Sequence, residues 1–180
     1  MQAFTFWKTV TMDQANLLEG LVALFDQHGI QYCVIGGQAV NAYVEPLVSL
    51  DLDVVVALHQ IARVNELLSQ HFVVKQFPHS LNVSLAGSDL RVQIQTDERY
   101  ARFVENASKR EVLGLEFPVA SLENVLQGKI WAAQDPERRG SKRQKDLADI
   151  ARILEKYPEL RVQVPQEIRS RLIIDSPDAE

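Results

Sequence analysis

The run Leu50 to Leu58, LDLDVVVAL, constrains the fold more than any other stretch of the chain. Its β-branched centre, Val54-Val55-Val56, reads as a strand buried on at least one face. A strand this apolar belongs inside a sheet, and inner strands rarely carry two acids without a partner cation. Asp51 and Asp53 nevertheless stand at its start. Residues two apart on a strand face the same way, with Cα atoms ~6.6 Å apart, so the two carboxylates can converge on a divalent metal. The alternative is an exposed strand end where the acids serve only solvation.

The neighbouring segments supply a sheet and its flanking helices. Thr11-Met12-Asp13-Gln14 has the form of a capping box, and the helix it opens carries Leu17, Leu18, Leu21, Val22, Leu24 and Phe25 on one side, with Gly29 as its stop. Gln31 to Ile35 is a short strand, broken by Gly36-Gly37, and Gln38 to Val44 a short helix ended by Glu45-Pro46. A helix follows over about 59–70 and a strand over 72–77. Leu81 to Ala86 and Leu90 to Thr96 alternate around Gly87-Ser88-Asp89 as a hairpin, with Arg91, Gln93 and Gln95 on one face of the second arm. Residues 98–107 read as helix, and 111–119 as a bent strand or a second hairpin around Gly114. Helices follow from Ser121 to about Ala133, Ser141 to about Tyr157 and Pro165 to Leu172. The predicted organisation is an α/β core over 1–120, helices over 121–174 packed on it, and a flexible tail over 175–180.

Charge narrows the partners. The 180 residues hold 19 basic and 24 acidic side chains, a net of −5. Arg138 to Lys145, RRGSKRQK, takes five of the basic residues and no acid, which leaves the remainder at −10. A concentrated positive site on an acidic body suits a small anion or one local stretch of nucleic-acid backbone rather than a general nucleic-acid coat. The apolar run Val54 to Leu58 is far shorter than the ~20 residues of a membrane span. A single cysteine, Cys33, excludes an internal disulfide, and the four histidines show no metal-ligand spacing. The expectation is a cytoplasmic protein with no membrane contact.

Two further groups could carry chemistry. Ile35-Gly36-Gly37-Gln38 runs from strand to helix through two glycines, a turn that lets backbone approach a phosphate, although a tight turn alone explains it. Lys129 lies in an apolar helix beside Ile130 and Trp131. Further on, Arg143, Lys145, Asp146 and Asp149 share one helix, where a solvated face with an i,i+4 pair is the plain alternative.

The order strand, Gly36-Gly37, helix, Asp51-x-Asp53 resembles the signature of the polymerase-beta-like nucleotidyltransferase superfamily. Glu123, Lys129 and Arg143-x-Lys145-Asp146-x-x-Asp149 are similar to the later motifs of the AbiEii-type nucleotidyltransferases, the toxin component of abortive-infection and type IV toxin–antitoxin systems. The resemblance covers about residues 15–155. It implies a nucleotidyltransferase-like mixed sheet flanked by helices with a C-terminal helical extension. It also implies transfer of a nucleotidyl group from an NTP to an RNA or protein acceptor, with an antitoxin as a further partner. Asp51 and Asp53 would hold Mg²⁺ or Mn²⁺, and with Lys129 they would be the catalytic residues. Gly36 and Gly37 would approach the phosphates. Lys129, Lys145 and Arg143 would supply positive charge, and Asp146 and Asp149 would position those bases or contribute to nucleotide binding.

The pattern departs from the family in two places. The superfamily's third acid falls on Gln93, which can ligate a metal weakly but cannot take a proton. The segment before Asp51, Glu45-Pro46-Leu47-Val48-Ser49, lacks an arginine often found there. A second reading therefore stands beside the enzyme: a fold of this kind that binds a nucleotide or a partner with weakened or lost catalysis. A third, a minimal antitoxin-type nucleotidyltransferase that modifies a toxin, is disfavoured by the extended C-terminal helices.

Overall fold

A computed structural model describes residues 16–112 and 115–173, together with Thr9, Met12 and Asp13. Seven strands form one mixed sheet: β1 (Tyr32–Ile35), β2 (Asp51–Val56), β3 (Val73–Phe77), β4 (Ser80–Ser84), β5 (Arg91–Gln95), β6 (Ser108–Val112) and β7 (Leu115–Val119). Their order across the sheet is β3-β4-β5-β2-β1-β7-β6. The helices are α1 (Leu17–Gln27), α2 (Gly36–Asn41), α3 (Ile61–Ser69), α4 (Ala101–Glu105), α5 (Leu122–Gln134), α6 (Gly140–Lys156) and α7 (Gln166–Arg169).

The valine-rich strand sits inside the sheet, as its composition requires. β2 runs antiparallel to β1 on one side and parallel to β5 on the other. Val54, Val55 and Val56 are no more than 2% exposed, whereas Asp51 and Asp53 are half-buried. α4 packs across β2 and covers the sheet face beyond the two acids. The open, polar end of the strand therefore lies at Asp51 and Asp53.

Several boundaries differ from the sequence reading. α1 begins at Leu17, and its first amides, Leu17 N and Leu18 N, donate to the buried Asp13 carboxylate at 2.9 and 3.2 Å. Thr11 and Gln14 of the expected capping box lie outside the described residues. Gly36 and Gly37 do not precede α2 but form its first two residues, and α2 stops at Asn41. The second hairpin exists, but its first arm starts at Ser108, three residues before the expected start at Glu111; Gly114 lies outside the described residues. The helix expected over 98–107 is a 3₁₀ turn at Glu98–Tyr100 and the short α4. The C-terminal helix shrinks to α7, behind a 3₁₀ stretch, Pro158–Gln163. The tail 175–180 is also outside the described residues.

α5 and α6 pack against each other and, through α2, on the edge of the acid-bearing strand. Val125, Leu126, Ile130, Ile150 and Ile153 join the strand side chains in one core. The loop from α2 to β2 is pinned from both ends. Asn41 exchanges hydrogen bonds with the Leu47 backbone at 2.7 and 2.9 Å, and Gln38 Nε2 donates to the Ser49 carbonyl at 3.2 Å. Arg152 on α6 donates to Asn41 Oδ1 and to the Glu45 carbonyl. Among the described residues no helix is long and apolar enough to cross a membrane.

Candidate active site

A cleft of about 480 Å³ opens between the sheet, α2, α5 and α6, and Gly36, Gly37, Asp51, Asp53, Gln93, Lys129, Lys145 and Asp146 all line it. Its floor follows from strand register. Asp51 pairs with Arg91 and Asp53 with Gln93 across β2 and β5. The second row continues through Asn82 on β4 to Lys75 on β3. Paired residues project to the same side of a sheet, so Asp53, Gln93, Asn82 and Lys75 form one line on the open face.

Gly36 meets this floor at its tightest point. Its φ is +67°, and a Cβ there would overlap the Asp53 carboxylate and sit 3.0 Å from Asp53 Cβ and Cγ. Only glycine lets the chain turn from β1 into α2 this close to an acid. Gly37 also lines the cleft, and a methyl group added there would have Asp149 Oδ2 as its nearest neighbour, at 4.0 Å.

The two acids have different electrostatic surroundings. Asp51 Oδ1 is 2.8 Å from Arg91 Nε, and Asp51 Oδ2 is 3.1 Å from Lys142 Nζ. Among the described residues no side chain hydrogen-bonds or ion-pairs with Asp53. Burial pushes the Asp53 carboxyl above the ordinary aspartate range. Lys129 resists the shift and Asp51 adds to it. A desolvated carboxylate without its own cation, beside a second carboxylate on the same face, fits a divalent ion. Gln93 Oε1 could complete the set weakly; no cluster of three His, Cys, Asp or Glu ligands exists among the described residues.

Lys129 reaches the cleft wall but is not free in it. Its side chain is 7% exposed, with Nζ 3.0 Å from Asp146 Oδ1 and 2.7 Å from Asp149 Oδ2. Burial disfavours its ammonium, yet Asp149 and Asp146 outweigh that and hold its pKa above the ordinary lysine range. Arg138 closes on Asp146 at 2.8 Å, and Arg152 on Asp149 at 2.8 Å. The result is a buried chain of alternating charges, Arg138–Asp146–Lys129–Asp149–Arg152. Asp146 and Asp149 thus hold the basic residues in place, and Lys129 acts on Asp53 as a fixed positive charge.

The helix phase of α6 decides the rest. Lys142, Lys145, Asp146 and Asp149 recur at i, i+3, i+4 and i+7 and so face the cleft side together. Lys145 Nζ lies 3.4 Å from Ser49 Oγ beside Asp51. Arg143 does not join them. One residue on from Lys142 it is turned by about 100°, and its guanidinium donates to the Asp135 and Pro136 carbonyls at 2.7 and 3.3 Å. It ties the start of α6 to the end of α5 and does not line the cleft. The sequence reading missed Lys142, Arg138 and Arg91 as cleft residues. Lys142 is legible from the i, i+3, i+4 stripe and Arg91 from the alternation that puts it on the Gln93 face of β5; Arg138 needs the tertiary structure.

No protein-family profile matches the chain. No curated protein matches it either. Solved structures do. ANT(2'')-Ia, an antibiotic-resistance factor, aligns in its solution structure over 88% of this chain and 92% of its own, with 15% identity and a TM-score of 0.58. The same protein in complex with adenylyl-2''-tobramycin aligns over 88% and 98%, with 17% identity and a TM-score of 0.56. The lincosamide antibiotic adenylyltransferase LnuA, lincomycin-bound, aligns over 79% and 99%, with 13% identity and a TM-score of 0.54. These likenesses establish the fold: a nucleotidyltransferase-like mixed α/β sheet flanked by helices.

Proposed function

We propose that this chain, on its nucleotidyltransferase fold, binds an NTP with Mg²⁺ or Mn²⁺ and transfers a nucleotidyl group to a hydroxyl of an RNA or protein acceptor. The observation that carries the reading is the pair Asp51 and Asp53 on one face of an inner strand, with Asp53 half-buried, without a side-chain partner among the described residues, and pressed against Gly36. Asp51 and Asp53 would hold the metal, which supplies charge stabilisation for the transferring phosphoryl group. Lys145 and Arg138 face the volume where phosphates would lie, and Gly36 and Gly37 line the same volume. The acceptor oxygen would form a bond to the α-phosphorus as the α–β phosphoanhydride bond breaks. Pyrophosphate leaves with that electron pair, and the acceptor proton passes to water, since Gln93 cannot accept it.

The acceptor platform favours an anion. The exposed face beside Gln93 presents Lys75, Asn82, Ser84 and Arg91 to the cleft. Among the described cleft residues the carboxylates are Asp51, Asp53 and Asp146, the last already bound to Lys129 and Arg138. A polycation such as tobramycin finds no acidic surface there, whereas an RNA phosphate finds Lys75 and the exposed guanidinium of Arg91, the latter shared with Asp51. We place the protein in the cytoplasm as a toxin-like member of a toxin–antitoxin or abortive-infection system, with an antitoxin as its protein partner. The chain would work as one body, its helices over 121–174 completing the site.

Gln93 in register with Asp53 favours a second reading, a nucleotide- or partner-binding protein whose transfer step is weak or lost. Incubation with each labelled NTP, Mg²⁺ and total RNA or protein separates the two. Label on an acceptor, abolished by Asp51→Ala, supports the enzyme. Metal-dependent NTP binding without transfer, with transfer gained in Gln93→Asp, supports the second reading. NTP binding that is absent, or indifferent to Asp51→Ala, overturns the enzyme and leaves of the second reading only a protein that binds a partner.

A further inference from the structure

Asp51, a proposed metal ligand, is already engaged on both oxygens: Arg91 holds Oδ1 from the sheet and Lys142 holds Oδ2 from the first turn of α6. Asp53, the other ligand, has no such partner among the described residues. Asp51 and Asp53 would hold a divalent ion, and an ammonium or guanidinium that stayed on Asp51 would then stand beside it. Two such cations repel strongly at that range in a partly buried cleft.

The two partners of Asp51 are not equivalent. Arg91 is a planar guanidinium whose side chain is 65% exposed, anchored on β5 in register with Asp51. Lys142 is a single ammonium on a four-carbon stem, 37% exposed, and stands one helical turn before Lys145 on the stripe that faces the proposed phosphate volume. A lysine stem can swing through several ångströms without moving its helix, and its point charge suits phosphate oxygens as well as a carboxylate.

We propose that Lys142 is an exchange cation. In the nucleotide-free protein its ammonium occupies the charge position beside Asp51. On binding of the metal–nucleotide complex it releases Asp51 to the metal and moves to the phosphates. The two events are then linked: free metal binds poorly because Lys142 competes for Asp51, and phosphate binding removes the competitor. This inference rests on the metal-site reading given above, and it assigns Lys142 a role that a fixed phosphate ligand or a surface salt bridge would not have.

The test uses the full chain and two base-free probes. Mn²⁺ alone is followed by the loss of its free-ion electron paramagnetic resonance signal, and magnesium tripolyphosphate by calorimetry. Lys142→Met is expected to bind Mn²⁺ about tenfold more tightly and tripolyphosphate about tenfold more weakly than the natural protein. Lys142→Arg keeps a cation and should hold Mn²⁺ affinity near the natural value. If Lys142→Met folds poorly by near-ultraviolet circular dichroism, Lys142→Gln provides the same comparison. Unchanged or weaker Mn²⁺ binding in the neutral variants overturns the exchange. Tightening by Arg91→Met but not by Lys142→Met overturns it as well. Asp51→Asn separates this failure from that of the metal site itself: Mn²⁺ binding that survives Asp51→Asn removes the metal reading, whatever Lys142 does.

Discussion

Replacing Gly36 by alanine isolates the closest approach in the cleft. Gly36 has a φ of +67°, and its missing Cβ would overlap the Asp53 carboxylate. The left-handed backbone costs an L-residue about 1–2 kcal/mol. Forcing Asp53 aside adds the usual overpacking cost, about 1–3 kcal/mol. The sum, about 2–5 kcal/mol, corresponds to a melting temperature lower by roughly 4–20 °C in a chain of this size. Gly37→Ala is the control: its added methyl would meet nothing nearer than Asp149 Oδ2 at 4.0 Å, and alanine in a helix gains up to about 1 kcal/mol over glycine. The two neighbouring substitutions should therefore differ in sign. Urea unfolding of both variants, and of Gly36→Ala combined with Asp53→Ala, separates backbone from clash. The double variant should recover the overpacking part and leave about 1–2 kcal/mol of backbone cost. Equal destabilisation by Gly36→Ala and Gly37→Ala, or no recovery in the double variant, would refute this geometry.

Three other outcomes follow from the site. Asp53→Asn in chelator should raise the melting temperature at neutral pH, because burial disfavours the charged carboxylate. Since the folded-state pKa is raised, protonation on lowering the pH relieves the natural protein, so the gap should close as pH falls through that pKa; a gap constant with pH sinks the argument. Lys129→Met leaves Asp146 and Asp149 without their shared ammonium and should cost about 3–5 kcal/mol in urea unfolding. A loss under about 1 kcal/mol would mean the buried charge chain is not structural. Cys33 is fully buried with its thiol pushed up to about 12, so a disulfide reagent at pH 8 should modify it only after unfolding. Rapid reaction of the folded protein would contradict that packing.

What the sequence revealed tracks the range of the interaction. The same-face placement of Asp51 and Asp53 is local, set by the two-residue period of a strand. Gln93 beside Asp53 was also legible, because the alternation of Leu90, Val92 and Ile94 fixes which side of β5 is polar. Arg143 has the residue type of a phosphate ligand but not the helix phase: counted from Lys145 and Asp149 it falls off the stripe and reaches the Asp135 and Pro136 carbonyls instead. The burial of Lys129 was not legible. It depends on two acids 17 and 20 residues further along being brought back by the packing of α6 on α5. Arg152, which holds the Glu45 carbonyl in the loop before β2 from 107 residues away, leaves no local mark either.

The registered row across the open sheet face also acts as a ruler. Neighbouring strands lie ~4.8 Å apart, so Lys75 on β3 stands three strands, about 14 Å, from Asp53 on β2. A molecule that presents its reacting end at Asp53 and still touches Lys75 must extend at least that far along the row, past Gln93 and Asn82. Shortening an acceptor below that length should cost it the contribution of Lys75 in one step rather than gradually, so the sheet would measure its ligand in whole strands.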